Sequence, residues 1–256
     1  MLPFFIEHYS AICQKIVIYD NQSTDNSVKI AQKHSHVEVR EFDTGGKLSE
    51  RALLEIKNFA WKEESSDYVI VCDIDEFLYA RDFNAFFETW AGYDVFKPVG
   101  FNMYSRSFPT DPTQQIVAQV KRGWYAPGFS KMVLFRPGRI RDINYGPGAH
   151  SASPVAEDTL KIFDSANHGA PLKLLHYKGL GEDWLLTRNA ALAERLSDEN
   201  KAKGWGFQYL LPASYYRRKV ALMRLLSYNC VDHERHLWYR VTKPLIDRKL
   251  QSKSQH

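Results

Sequence analysis

Short apolar runs alternate with amphipathic stretches along the first third of the chain. Leu2 to Ala11 reads as a helix, with Pro3 in a tolerated first-turn place and Phe5, Ile6 and Tyr9 on one side. Ile16 to Tyr19 reads as a short strand that ends at Asp20. The segment DNQSTDNS then supplies a turn and an N-cap for a helix over Val28 to Lys33. Val37 to Phe42 alternates like a strand and opens into Asp43-Thr44-Gly45-Gly46-Lys47, where two glycines let backbone approach a ligand closely. Ser49 to Glu64 reads as a long helix. Tyr68 to Cys72 is apolar without alternation and rich in β-branched types, the pattern of a strand buried on both faces of a parallel sheet. That run stops at Asp73.

Beyond Asp82, the residues Phe83, Phe86, Phe87 and Trp90 fall at helical spacing and read as core. Tyr93 to Phe101 reads as a strand. Periodicity fades from Asn102 to Gly128, where Pro109, Pro112 and Pro127 punctuate a segment with the look of a long acceptor-facing loop. Ser130 to Arg136 is a predicted strand, Asn144 to His150 a loop, and Leu172 to Tyr177 a final strand with His176 at its end. Glu182 to Lys203 reads as a helix closed by Gly204, and Ala213 to Leu226 as another. Strands alternating with helices predict an α/β fold: a mixed, mainly parallel sheet flanked by helices over residues 1–210, with a basic helical extension over 211–256.

At 256 residues, with 44% hydrophobic and 25% charged positions, the chain is long enough to bury a sizeable core and to be an enzyme. Its apolar runs fall short of the roughly 20 residues that span a bilayer, and no basic region precedes the first of them, so no secretion signal is expected. Cys13, Cys72 and Cys230 are odd in number and widely spaced, which suggests neither a disulfide framework nor a zinc site and fits a cytoplasmic setting. Net charge is +4, yet ten Lys or Arg stand against three acids from Arg217 onward. Interleaved with aromatic and leucine residues, this tail is expected to hold the protein at an anionic membrane face, on the inner side; nucleic acid is the weaker partner.

Polar residues gather at the predicted strand ends: Asp20 and Asn21, Asp43 with Lys47 in the same loop, then Asp73 and Asp75. One nucleotide site across several strand ends needs such clustering. Asp73, Asp75 and Glu76 repel one another unless a cation sits among them, and Mg2+ or Mn2+ carrying a phosphate is the simplest occupant. The bland alternative has Asp73 capping the next turn, with Asp75 and Glu76 solvated.

Through YDNQSTDNS, DIDEF after an apolar run, and LLHYKGLG before a helix, the sequence resembles family 2 type glycosyltransferases of the GT-A fold, of the bacterial glycan-biosynthesis type, over roughly Leu2 to Tyr209. The resemblance implies a metal-dependent, inverting transfer of a sugar from a nucleoside-diphosphate donor, a UDP-sugar first of all, to a glycan or lipid-linked hydroxyl. It implies Asp20 and Asn21 as nucleoside contacts, with Asp43 and Lys47 beside them. Asp73, Asp75 and His176 would be ligands of Mn2+ or Mg2+, and Lys178 a diphosphate contact. A carboxylate base is expected near the acceptor; Glu182-Asp183 and Glu157-Asp158 are the available pairs, and Asp183 is preferred because it follows HYKGLG closely. Such enzymes place a further strand ahead of the LPFFIEHY helix, which reads here as a truncation or a missing strand. Two other readings stand beside this one. The first is a non-catalytic GT-A-like domain that binds a nucleotide sugar or glycan; the second is a DxD phosphatase of haloacid dehalogenase type, disfavoured by Phe77.

Overall fold

A computed structural model describes residues 1–233; the rest of the basic tail lies outside the described residues. The chain begins with α1 (Leu2–Ser10), β1 (Ile16–Asp20), α2 (Ser27–Ala31) and β2 (Val37–Glu41), and β1 pairs with β2 in parallel. Ser49 caps α3 (Glu50–Phe59) by accepting from the Ala52 amide, and a 3-10 turn follows over Ala60–Glu63. Next come β3 (Val69–Ile70), β4 (Glu76–Ala80) and α4 (Phe83–Trp90), the last capped by the Asp82 carboxylate. Then follow β5 (Val95–Lys97), β6 (Val99–Ser105), α5 (Ile116–Gln119), β7 (Arg122–Tyr125), β8 (Leu134–Phe135), β9 (Ile162–Asp164) and β10 (Leu172–Leu180). The described chain closes with α6 (Glu182–Arg195), α7 (Asp198–Ala202), α8 (Ala213–Leu226) and β11 (Tyr228–Asn229).

Two larger sheets carry the core, in the orders β11-β7-β6-β10-β4 and β3-β8-β5-β9. The fold is mixed α/β with helices against its sheets, but the mainly parallel sheet is corrected: among the described residues five of the eight strand pairings are antiparallel. The expected doubly buried strand at Tyr68–Cys72 is corrected as well. Only Val69 and Ile70 pair there, antiparallel to β8, and all five residues are half-buried. Full burial comes after the acids, at Phe77 and Leu78 of β4. The cause is the turn between, in which Glu76 N donates to Asp73 O (2.9 Å) and Asp73 N to Glu76 Oε2 (3.2 Å), so one apolar run becomes two strands in different sheets.

β4 lies at the end of its sheet, and α1 satisfies its open edge. Tyr9 Oη accepts from Leu78 N (2.9 Å) and donates to Glu76 O (3.0 Å), while His8 Nε2 meets Leu78 O at 2.8 Å. The rings of Phe5, His8, Tyr9 and Tyr177 close around Phe77. Pro98, which has no amide hydrogen for a ladder, splits the predicted Tyr93–Phe101 strand into β5 and β6. The predicted loop after Asn102 instead contains the rest of β6 and all of β7. The long C-terminal helix breaks at Leu196, whose extended backbone bridges Leu48, before Ser197 caps α7. β11 then pairs with β7, and Lys173 Nζ donates to Cys230 O and Val231 O, so residues 228–231 are tied to the same sheet. Among the described residues no helix is long and apolar enough to cross a membrane.

Gly100 of β6 permits the close approach of the Phe129–Ser130 backbone. A Cβ there would stand 2.3 Å from Phe129 C and 2.6 Å from Ser130 N, atoms that cannot swing aside. Gly100→Ala is therefore expected to cost about 2 kcal/mol in urea unfolding, the middle of the range for overpacking. An unchanged midpoint would show that this segment is loosely held.

Candidate active site

The acids of the DIDE turn meet cations from three other segments and an imidazole from a fourth. Asp75, 4% exposed, stands just before β4 and takes Arg188 Nη2 of α6 at 2.7 Å and His176 Nε2 of β10 at 3.4 Å on one carboxylate oxygen. Its carbonyl accepts from Tyr177 N at 2.7 Å, which ties the turn to β10. The other side of His176 is fixed by Asn102 Oδ1 of β6 (2.9 Å from Nδ1), and Phe129 stacks on the imidazole at 4.1 Å. Asp73 sits at the rim, paired with Lys57 of α3 at 2.5 Å and Lys131 at 3.5 Å. Lys131 also donates to the fully buried Glu76, and both side chains are 2% exposed. Lys178, two residues past His176, lies over the Tyr209 ring at 4.7 Å.

Electrostatics follow from this packing. Burial alone would lift the Asp75 carboxyl, but Arg188 and then His176 outweigh it and hold it well below the usual range. Burial lowers His176, with Asp75 opposing, so the imidazole is neutral near pH 7. Glu76 is pushed up to about 7 by burial and by Asp73, against Lys131. Lys131 keeps its proton: burial disfavours the charge, yet Glu76 and Asp73 more than offset that. Lys178 is pushed down to about 8 by burial and by Arg188.

The depressed Lys178 would make any anion binding beside it pH-dependent, with a definite sign. An arriving phosphate favours the charged ammonium, so at pH 8.5 binding takes up between about half a proton and one proton, and at pH 6 almost none. Calorimetry of UDP binding in two buffers of different ionisation enthalpy reads this directly. The uptake should vanish in Lys178→Gln, and an uptake that persists there would place the titration on another group.

Arg188 carries the most telling local feature. Its Nη2 is spent on Asp75, whereas Nη1 is buried with no hydrogen-bond partner among the described residues. A buried guanidinium nitrogen without an acceptor is costly, and a phosphate oxygen at that point would satisfy it.

Not every predicted residue joins the cluster. Among the described residues no three His, Cys, Asp or Glu side chains are gathered as a metal group. Asp75 and His176 are brought together; Asp73 instead faces Lys57 and Lys131. Two donors 3.4 Å apart fit neighbouring positions around one Mn2+ or Mg2+, with diphosphate oxygens and water for the rest, as Mg2+ is commonly held. Asp20 Oδ2 accepts from Ser23 N (2.9 Å) and so caps a turn. Asn21 Nδ2 donates to Thr44 Oγ1 (2.8 Å) and Lys47 O (3.1 Å), tying the two loops, and Asp43 accepts from Gly45 N (2.7 Å). The side chains of Asp43 and Lys47 are exposed. Arg195 Nε donates to Gly46 O (2.9 Å), so α6 touches this loop seven residues, about 10 Å, beyond Arg188. Glu182 pairs with Arg217 at 3.1 Å and Asp183 is exposed; among the described residues no hydrogen bond or ion pair joins either to the cluster.

Sequence reasoning missed Lys57, Asn102, Phe129, Lys131 and Arg188. Two left a trace: Lys57 follows Leu53 by four residues and Arg188 follows Leu185 by three, each a charge on an otherwise apolar helical face. His150, read as a loop residue, packs edge-on against Phe129 and meets Gly128 O at 2.6 Å; burial and then Lys131 lower its pKa. No family model matches the chain, and no curated protein matches it at a significant level.

Proposed function

We propose that this protein is a glycosyltransferase of GT-A type that moves a sugar from a nucleoside-diphosphate donor, a UDP-sugar first of all, to a hydroxyl of a glycan or lipid-linked acceptor. The observation that carries this reading is the unsatisfied Arg188 Nη1 beside Asp75, His176 and Lys178, a buried and partly cationic corner that a phosphate oxygen would fit. A sugar nucleotide leaves a diphosphate behind, and departure is fastest where its developing charge meets fixed donors in a dry site. Arg188 and Lys178 supply the charge, and Asp75 and Asn102 hold Arg188 and His176 in place. Mn2+ or Mg2+ bound at Asp75 and His176 would supply further neutralisation of the diphosphate. The loops at Asn21–Thr44 and Gly45–Gly46, reached by the far end of α6, are the proposed seat of the nucleoside, with inversion as the proposed outcome.

For the acceptor, Asp183 is the proposed base: it is exposed, and no side chain among the described residues pairs with it. Asp183→Asn is expected to cut transfer by about a hundredfold or more while UDP affinity stays within about twofold. Loss of transfer in Glu157→Gln or Asp158→Asn instead would move the assignment to that pair. Steady-state transfer assays alongside calorimetry of UDP separate these outcomes. They also separate a transferase from a non-catalytic nucleotide-sugar binder, which would bind donor and never turn it over.

A further inference from the structure

Some way along β6 from the acid cluster, a cavity of about 380 Å³ opens between strand and helix, lined by Tyr104, Ser105, Arg106, Arg122 and Arg224. No acid lines it. Arg122 of β7 is held from behind: its Nε donates to Ser227 Oγ (3.3 Å) and its Nη2 to Ser227 O. Arg106 and Arg224 are exposed and form no ion pair or side-chain hydrogen bond among the described residues. Several other arginines are matched to acids. Arg40 spans Glu38, Glu63 and Glu64, Arg139 takes Asp94, and Arg217 takes Glu182. Three guanidinium groups around one hollow repel each other, and an oxyanion between them reverses the sign of that interaction. Planar guanidinium forks suit phosphate oxygens best.

We propose that this cavity is a second anion site that takes a phosphate group, and, resting on the transferase reading above, that this phosphate belongs to the acceptor. Position supports the second half. Asn102 of β6 holds His176 in the cluster and Ser105 of the same strand lines the cavity, so about 10 Å of strand separates donor chemistry from this hollow. An acceptor that carries phosphate a sugar's length or so from its reactive hydroxyl spans that interval. The cavity is larger than a single phosphate and has room for part of the group bearing it.

Calorimetric titration with glycerol 3-phosphate tests the site in three forms of the full chain: wild type, Arg106→Gln/Arg224→Gln, and Lys178→Gln/Arg188→Gln. The first pair is exposed and unpartnered, so its fold should be unaltered, and a thermal melt checks this. Glycerol 3-phosphate affinity should fall about tenfold or more in the Arg106→Gln/Arg224→Gln protein and change less than about twofold in the other. UDP affinity should show the reverse pattern. Cosedimentation with phosphatidylcholine vesicles, with and without phosphatidic acid, identifies the source. Binding that needs both phosphatidic acid and the two arginines marks a lipid headgroup, and binding of glycerol 3-phosphate alone marks a soluble acceptor. Should wild type bind neither probe, or should both probes bind equally without Arg106 and Arg224, the proposal is overturned. If UDP fails to bind while glycerol 3-phosphate still requires these arginines, the anion site stands and the transferase reading falls.

Discussion

Asp75→Asn is expected to lower sugar transfer about a thousandfold, the scale on which one preorganised electrostatic element acts at a reacting centre. The amide preserves shape and keeps the backbone bond from Tyr177 N, so the turn between β3 and β4 survives. What disappears is the negative charge that Arg188 and His176 share at 2.7 and 3.4 Å. Arg188, 25% exposed at its side chain, is then expected to turn toward solvent, which takes its unsatisfied Nη1 away from the proposed diphosphate seat. Transfer measured under saturating donor, with circular dichroism to confirm the fold, gives the result. Activity within about tenfold of wild type would mean that Asp75 serves the turn and not the chemistry.

Lys131→Met is expected to destabilise the protein by about 3 to 5 kcal/mol at pH 8, the cost of leaving one partner of a buried pair alone. Lys131 bridges Glu76 and Asp73 from a position 2% exposed, and methionine keeps its stem but offers no charge. The penalty should depend on pH. Glu76 already titrates at about 7 in the folded protein, above the ordinary carboxylate range. A raised carboxyl pKa means that the folded state holds its proton longer than the unfolded chain, so stability declines as pH rises through that interval. Without Lys131 the interval widens upward, so the variant should lose little at pH 5 and most above pH 7. Urea unfolding at both values reads the difference, and Glu76→Gln added to Lys131→Met should recover part of the loss at pH 8. Equal penalties at the two pH values would show that packing, not charge, makes Lys131 important.

Elements with local signals were legible in the sequence. Asp82 and Ser49 cap their helices through their own side chains, and the apolar spacing around Phe86 and the Ala213–Leu226 pattern do not depend on distant residues. Sheet membership was not legible. A short apolar run says nothing of which side of a turn lies deeper, and here β4, after the acids, is buried while β3 is only half-buried. Strand direction was misjudged for the same reason, since alternating strands and helices are compatible with antiparallel neighbours such as β10 and β4. For the site, DIDE and His176 stood out because charges end apolar runs. The cations that answer them come from α3, the segment before β8, and α6, and only the fold brings Lys57, Lys131 and Arg188 to one turn.

The most direct test of a diphosphate site at Asp75, His176, Lys178 and Arg188 is a calorimetric titration of a UDP-sugar with Mn2+. It is run on wild type, Asp75→Asn and Arg188→Met, and on wild type with EDTA. Donor affinity should fall about a hundredfold in Arg188→Met, where a charge-assisted bond to the diphosphate is lost, and sharply in Asp75→Asn and in EDTA. Unchanged affinity in Arg188→Met and Asp75→Asn, with both variants folded, would contradict the account and leave the DIDE turn as a structural corner neutralised by its own lysines and arginine.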